Sequence, residues 1–165
     1  MEGDIVKILY TGFKGKNNSS FQLLSKLSGE KVHLTNSFDG LERDIVGISD
    51  NYDMVVMFGL DSNMKEMVRI ELVAECEGAV EKSRLDCNAL CRCLKESKIQ
   101  CCVSEIPTRY LCNAAYYHML RKVEGNAVFI HIPTMKNMSG IMLEKIVSCM
   151  EGIAWNSICL HTTTD

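Results

Sequence analysis

Strand-like and helix-like segments alternate along the whole chain, and this alternation limits the fold more than any other feature. Two segments, MVVMFGL (residues 54–60) and AVFIHI (residues 127–132), are uninterrupted apolar runs of strand length, as in strands buried on both faces of a parallel sheet. Helix-like stretches separate the strands, which implies right-handed crossovers that place helices over the sheet. We therefore predict a single α/β domain over residues 1–165, with a mostly parallel twisted sheet flanked by helices on both faces.

Turn and capping residues divide the rest of the chain. Ser19 or Ser20 is expected to cap a helix over FQLLSKL that Gly29 ends, and Gly12 is expected to end the first strand. The alternating segment VRIELVAE predicts one half-exposed strand with Glu71 on its polar side. Strands are predicted over 4–11, 31–34, 54–60, 68–75, 100–105 and 127–132, and helices over 21–27, 41–48, 87–97, 114–122 and 140–155, with Ser37 or Asp39, Asp86 and Ser139 as further caps.

Charge and hydropathy exclude several classes of partner. The net charge is -3 and the pI is about 5.8, so neither nucleic acid nor an anionic membrane is expected to bind. The start of the chain, MEGDIVKILY, has acidic residues where a secretion signal has basic ones, and no apolar run reaches the roughly 20 residues of a membrane span. A cytoplasmic location is therefore predicted.

Nine cysteines raise the question of disulfides or zinc. The number is odd and a cytoplasmic location keeps thiols reduced, so a disulfide framework is not expected. Five of the thiols cluster between residues 87 and 102, but no second Cys-x-x-Cys pair or nearby histidine completes a zinc site. No metal is predicted, and most of these thiols are expected to be small core residues.

Cys112 lies where a helix is expected to begin, and His131 lies late in a predicted strand. Unpaired backbone N–H groups and the positive end of the helix dipole favour the thiolate in a first helical turn, and the thiolate is the nucleophilic form. Active crevices of such sheets form where strand ends meet helix starts, so the two side chains can share one rim. Taken alone, however, a cysteine and a histidine are more often a buried small thiol and a core imidazole.

Four motifs change that balance because together they resemble one family. The segments LYTGF, IELVA, YLCN and FIHIP follow the patterns L-x-T-G-F, I-E-x-V-A, Y-L-C-N and F-I-H-I-P of pyroglutamyl peptidase I, a cytosolic cysteine peptidase that removes N-terminal pyroglutamate. The resemblance implies a catalytic triad of Cys112, His131 and Glu71, with Glu75 as a weaker candidate for the acid. It also implies a thioester acyl-enzyme, no cofactor, a peptide with a blocked N-terminus as substrate, and a homodimer or homotetramer.

The chain departs from the family pattern in its first loop. Members read approximately T-G-F-x-P-F-G-G and then N-P-S-W, whereas this chain reads TGFKGKNNSSF and lacks the Pro and the second Phe. The resemblance implies substrate-binding roles for Phe13, Asn18 and Leu111, with one aromatic wall missing. Asp61 or Leu60 also replaces a Gln near the pocket. Two alternatives therefore stay open: an amidase of altered N-acyl specificity on the same scaffold, and a catalytically silent binding or assembly protein.

Overall fold

A six-stranded sheet forms the centre of the molecule in the computed structural model, which describes residues 5–159. The strands are β1 (Ile8–Phe13), β2 (Glu30–Leu34), β3 (Met54–Leu60), β4 (Met67–Glu71), β7 (Gln100–Ser104) and β8 (Ala127–Ile132), in the order β2-β1-β3-β8-β4-β7. All neighbouring pairs are parallel except β4 and β8, which are antiparallel. The prediction of a mostly parallel sheet is confirmed.

Five helices cover the two faces of this sheet. They are α1 (Ser19–Lys26), α2 (Phe38–Val46), α3 (Cys87–Glu96), α4 (Tyr110–Lys122) and α5 (Gly140–Gly152). Apolar residues of α1, α3 and α5 pack on one face of the sheet, and those of α2 and α4 pack on the other. Short 3-10 turns lie at Met135–Asn137 and Trp155–Ser157. Helices therefore flank both faces, as predicted, and no helix within residues 5–159 is long and apolar enough to cross a membrane.

The predicted single strand over residues 68–75 is wrong, because the chain leaves the sheet at Leu72. Two strands, β5 (Val73–Cys76) and β6 (Ala79–Lys82), form a separate antiparallel hairpin. Its turn contains Glu77 and Gly78, both with positive φ. The part that remains in the sheet is not half-exposed either, since Glu71 is only 1% exposed. The alternation was read correctly, but α4 covers the face that its polar residues occupy.

Several element boundaries also differ from the predictions. The first strand continues through Gly12 to Phe13, and its predicted start at Asp4 lies outside the described residues. Asn18 caps α1 instead of Ser19 or Ser20, because its side-chain oxygen accepts a hydrogen bond from the Ser20 amide at 2.9 Å. That helix ends at Lys26, so Gly29 lies beyond it in the turn before β2.

Other local predictions are confirmed. The side chains of Ser37, Asp86 and Ser139 accept amide hydrogen bonds at the starts of α2, α3 and α5. The strands β3 and β8 have the predicted bounds, and every residue of β8 is buried. The last helix ends at Gly152, three residues before its predicted end. These elements bring the ends of β1, β3, β4 and β8 close to the start of α4.

Candidate active site

A buried carboxylate and imidazole meet where β4 and β8 pair. Arg69 is the register partner of His131, and Glu71 is the partner of Phe129. Cross-strand partners project from the same face of a sheet, so these four side chains share one face. Oε1 of Glu71 lies 2.8 Å from Nδ1 of His131, and the two residues are 1% and 4% exposed. The acid is therefore placed to orient the ring and to leave Nε2 free for chemistry.

Cys112 reaches the same face from the first turn of α4. It is the third residue of that helix, as the sequence predicted for the helix start. Its Sγ lies 2.7 Å from the position that a β-carbon on Gly59 would take, and Gly59 is the register partner of His131. Cys112 and His131 are thus neighbours above one strand pair. Within residues 5–159 the ring of His131 hydrogen-bonds Glu71 and makes no hydrogen bond with the thiol.

Two side chains of α4 attach its first turns to the segment that follows Glu71. Asn113 accepts a hydrogen bond from the Glu75 amide at 3.0 Å and donates one to the Glu75 carbonyl at 2.7 Å. One turn later, Tyr116 donates a hydrogen bond to the carbonyl of Glu71 at 2.8 Å. The side chain of Glu75 is exposed, so the carboxylate brought to His131 is that of Glu71. These bonds set the position of Cys112 relative to its two neighbours.

A charged pair that the sequence analysis did not assign to the site lies beside this carboxylate. Arg69 donates from Nε to Oε1 of Glu71 at 2.5 Å and from Nη2 to Oδ2 of Asp61 at 2.9 Å. Asp61 directly follows β3, and its amide donates to the carbonyl of Ile132. Hydrogen bonds from the Asn63 amide and Arg69 lower the pKa of Asp61 despite its burial. The alternation of residues 69 and 71 was the sequence signal for this pair.

The electrostatics of the thiol contradict the expectation of a stabilised thiolate. Burial raises the pKa of Cys112 to about 12, and the carboxylates of Asp61 and Glu71 add to the shift. The helix start offers its N–H groups as predicted, because Arg109 makes no side-chain cap. However, the cost of burying a charged sulfur next to two carboxylates exceeds that benefit. The thiol is therefore neutral near pH 7 in this state.

The residues expected to bind substrate fall into two groups. Phe13, at the end of β1, is buried in the apolar cluster that α2 and α4 cover, and Leu111 and Cys112 pack against that cluster. Asn18 has a different role, because its side-chain oxygen accepts hydrogen bonds from both the amide and the hydroxyl of Ser20. An apolar acyl group held near Cys112 would therefore meet Phe13 and Leu111 before it meets Asn18.

The part of the chain that the structure describes contains no group of three or more His, Cys, Asp and Glu side chains suited to holding a metal ion. All nine cysteines are free thiols. The chemical groups at the site are therefore a thiol, an imidazole, two carboxylates and a guanidinium. This set is of the kind used in nucleophilic and general acid–base catalysis by cysteine hydrolases.

Comparison with solved structures assigns the architecture. No protein-family model matches the chain, and no curated protein matches it in sequence. Pyroglutamyl peptidase I from Bacillus amyloliquefaciens is similar, with 18% identity and a TM-score of 0.77 over 95% of this chain and 97% of the other. Pyrrolidone carboxyl peptidase from Thermus thermophilus has 17% identity and a TM-score of 0.75, covering 92% and 99%. The corresponding values for the Thermococcus litoralis enzyme are 21%, 0.70, 89% and 90%.

These comparisons show that the chain has the fold of the pyroglutamyl peptidases, which the four sequence motifs had implied. The similarity extends over most of this chain and most of each compared chain. The identities of 17–21% show the architecture alone. The chemistry is argued below from this chain's own side chains.

Proposed function

We propose that this protein is a cysteine hydrolase that cleaves the amide bond after an N-terminal pyroglutamyl residue of a peptide. The main support is the approach of Glu71 and His131 to 2.8 Å on the sheet face that Cys112 covers from α4. This arrangement supplies a nucleophile, a base and a group that orients the base, which are the parts that covalent acyl transfer uses. The similarity of the fold to pyroglutamyl peptidases and the matching motifs favour this acyl group.

The reaction follows from the positions of the three groups. Nε2 of His131 accepts the thiol proton while Sγ of Cys112 attacks the scissile carbonyl carbon. The tetrahedral intermediate expels the amine, which takes the proton from His131, and leaves a thioester on Cys112. Water, deprotonated by His131, then hydrolyses the thioester and restores the thiol. Glu71 stabilises the imidazolium that forms in each half of the cycle.

The start of α4 supplies the complementary stabilisation of the oxyanion. Its first amides have no carbonyl partner within the helix, and Arg109 does not cap them with its side chain. N–H groups in such a position can donate to the negatively charged oxygen of the intermediate, and one such donor contributes about 2.7–4 kcal/mol in known enzymes. Because the pKa of Cys112 is about 12 in the free protein, proton transfer to His131 is expected to accompany attack on bound substrate.

The direct test is hydrolysis of a pyroglutamyl arylamide by the wild type and by Cys112→Ala, Cys112→Ser and His131→Asn. We expect each variant to lose at least about 1000-fold in kcat/KM, because the covalent route loses its nucleophile or its base. Cys76→Ser is the matched control, since Cys76 is exposed at the hairpin, and it should retain wild-type activity. Full turnover by folded Cys112→Ala would refute the mechanism.

A second candidate is an amidase for a different N-acyl group, and the first loop favours it. After Phe13 the chain runs through Lys14–Asn18 without another aromatic residue, so one wall of a pocket for a flat lactam ring is missing. Inserting Pro-Phe-Gly-Gly after Phe13 should lower KM for the pyroglutamyl arylamide with little change in kcat, because burying the ring stabilises the ground and transition states equally.

A panel of N-acyl arylamides would separate this candidate from the main proposal. Faster turnover of another acyl group by the wild type would favour the amidase. Failure of every substrate, with no acylation of Cys112, would favour a silent binding protein. Assembly as a homodimer or homotetramer and a cytoplasmic location stay predictions.

A further inference from the structure

Four ionisable side chains form a continuous hydrogen-bonded chain that ends at His131. Asp61 contacts Arg69 at 2.9 Å, Arg69 contacts Glu71 at 2.5 Å, and Glu71 contacts His131 at 2.8 Å. The ionised forms alternate in sign along this chain. Arg69 and His131 use the same oxygen, Oε1, so the guanidinium and the imidazole share one carboxylate oxygen. Arg69 and Asp61 therefore bear directly on the interaction that orients the base.

The other oxygen of Glu71 makes this sharing more significant. Oε2 is buried and has no hydrogen-bond partner among the described residues, so the carboxylate makes its polar contacts through Oε1 alone. A buried carboxylate without a compensating charge is costly. Arg69, whose side chain is 24% exposed, supplies that compensation. Once its charge is partly neutralised, Glu71 has less capacity to stabilise an imidazolium.

The charged groups around His131 come from three elements. Glu71 and Arg69 lie on β4, Asp61 follows β3, and Cys112 lies on α4, while the Phe129 ring packs at 4.7 Å on the histidine's own strand. The positive charge of Arg69 opposes protonation of the ring, and the negative charge of Asp61 favours it. Asp61 also opposes ionisation of Cys112. One carboxylate thus acts on both partners of the thiol–imidazole pair.

We propose that Arg69 and Asp61 are positioning residues that jointly set the protonation of His131, Arg69 towards the neutral base and Asp61 towards the imidazolium. The inference deepens the proposed function, because it concerns the base of that same site. A neutral imidazole is the form that accepts the thiol proton. The opposing actions of the two residues give the proposal a signature that loss of structure does not produce.

The test is an NMR titration of the His131 ring in the wild type, Arg69→Gln and Asp61→Asn. The protonation midpoint is expected to rise by about half a pH unit or more in Arg69→Gln and to fall in Asp61→Asn. Arg69→Lys, which keeps the charge, should lie closer to the wild type than Arg69→Gln does. Lys65→Gln and Glu42→Gln remove exposed charges elsewhere and should leave the midpoint unchanged.

Alkylation of Cys112 by iodoacetamide gives a second readout. Asp61→Asn should speed labelling at pH 8 by about three- to tenfold, because removing the carboxylate lowers the pKa of the thiol. Midpoints that stay unchanged or move in the same direction would overturn the inference, and so would unchanged labelling of Asp61→Asn. If Arg69→Gln fails to fold, Asp61→Asn and Arg69→Lys carry the test.

Neither readout requires turnover, which separates this inference from the proposed function. Opposite midpoint shifts in a protein that hydrolyses no arylamide would support the charge network and refute the hydrolase. Hydrolysis with unmoved midpoints would do the reverse. In an active enzyme, the acidic limb of the kcat/KM profile should move with the midpoint, to higher pH in Arg69→Gln and to lower pH in Asp61→Asn.

Discussion

At the residue scale, Gly59 provides the space in which the candidate nucleophile lies. A β-carbon at this position would stand 2.7 Å from Sγ of Cys112 and 2.6 Å from Cζ of Phe129, both closer than real atoms approach. The apolar pattern of β3 gave no indication of this requirement, because a glycine in a buried strand signals only a close approach of some kind. The tertiary structure identifies the approaching atom as the sulfur.

Gly59→Ala is therefore expected to impair both the site and the fold. The added methyl group should displace Cys112 or Phe129, which should lower kcat/KM for a pyroglutamyl arylamide by about 100-fold or more and destabilise the protein by about 1–3 kcal/mol. Urea unfolding and steady-state kinetics measure the two effects. Gly140→Ala is the control, because a β-carbon there meets nothing within 4 Å. Equal behaviour of the two variants would show that Gly59 has no special role.

At the element scale, the start of α4 is held by its side chains more than by its own cap. Arg109 makes no side-chain capping bond, and Tyr110 takes a φ of 71° although it is not glycine. Positive φ in a non-glycine residue is costly and is kept where surrounding contacts enforce it. The bonds from Asn113 to Glu75 and from Tyr116 to Glu71 are those contacts. Sequence analysis found the helix but not its attachment to the hairpin.

Asn113→Ala should loosen this attachment and reduce kcat more than it changes KM. Both hydrogen bonds to the Glu75 backbone are lost, so Cys112 is held less well relative to His131, and we expect kcat to fall about tenfold or more. Asn113→Asp keeps the acceptor and loses the donor, so an intermediate loss is expected. Asn88→Ala, at an exposed position of α3, serves as the control. A large rise in KM at constant kcat would argue instead for direct substrate contact.

At the scale of the whole molecule, buried thiols tie stability to alkaline pH. Burial raises the pKa of Cys87 to about 11 and that of Cys112 to about 12. Both thiols ionise in the unfolded chain near their ordinary pKa of about 8.5, but they stay protonated in the folded state. Above that pH the folded state binds more protons than the unfolded state. The free energy of unfolding therefore decreases as pH rises towards the folded-state values.

Replacing one buried thiol should reduce this alkaline loss of stability. Guanidinium unfolding of the wild type at pH 7.5, 9 and 10.5 should show decreasing stability, and Cys87→Ala should lack about 1–2 kcal/mol of that decrease. Its stability at pH 7.5 serves as its own reference, because a lost contact would act at every pH. Cys102→Ala, at an exposed site, should follow the wild-type curve. Parallel curves for all three proteins would contradict the assignment.

The elements that sequence alone determined are those that depend on neighbouring residues. Uninterrupted apolar runs located β3 and β8, and the short polar side chains of Ser37, Asp86 and Ser139 marked helix starts, because a cap bonds an amide two or three residues away. The motif around Cys112 was likewise placed correctly at the start of a helix.

What the tertiary structure decided is the environment of those elements. The burial of Glu71, the end of its strand at Leu72, the pairing of Arg69 with Asp61 and the raised pKa of Cys112 all arise between residues that are distant in the chain or belong to different elements. Alternation along a strand states which side chains share a face, but it does not state what covers that face. Here α4 covers it, and the resulting loss of solvent sets the charge state of the site.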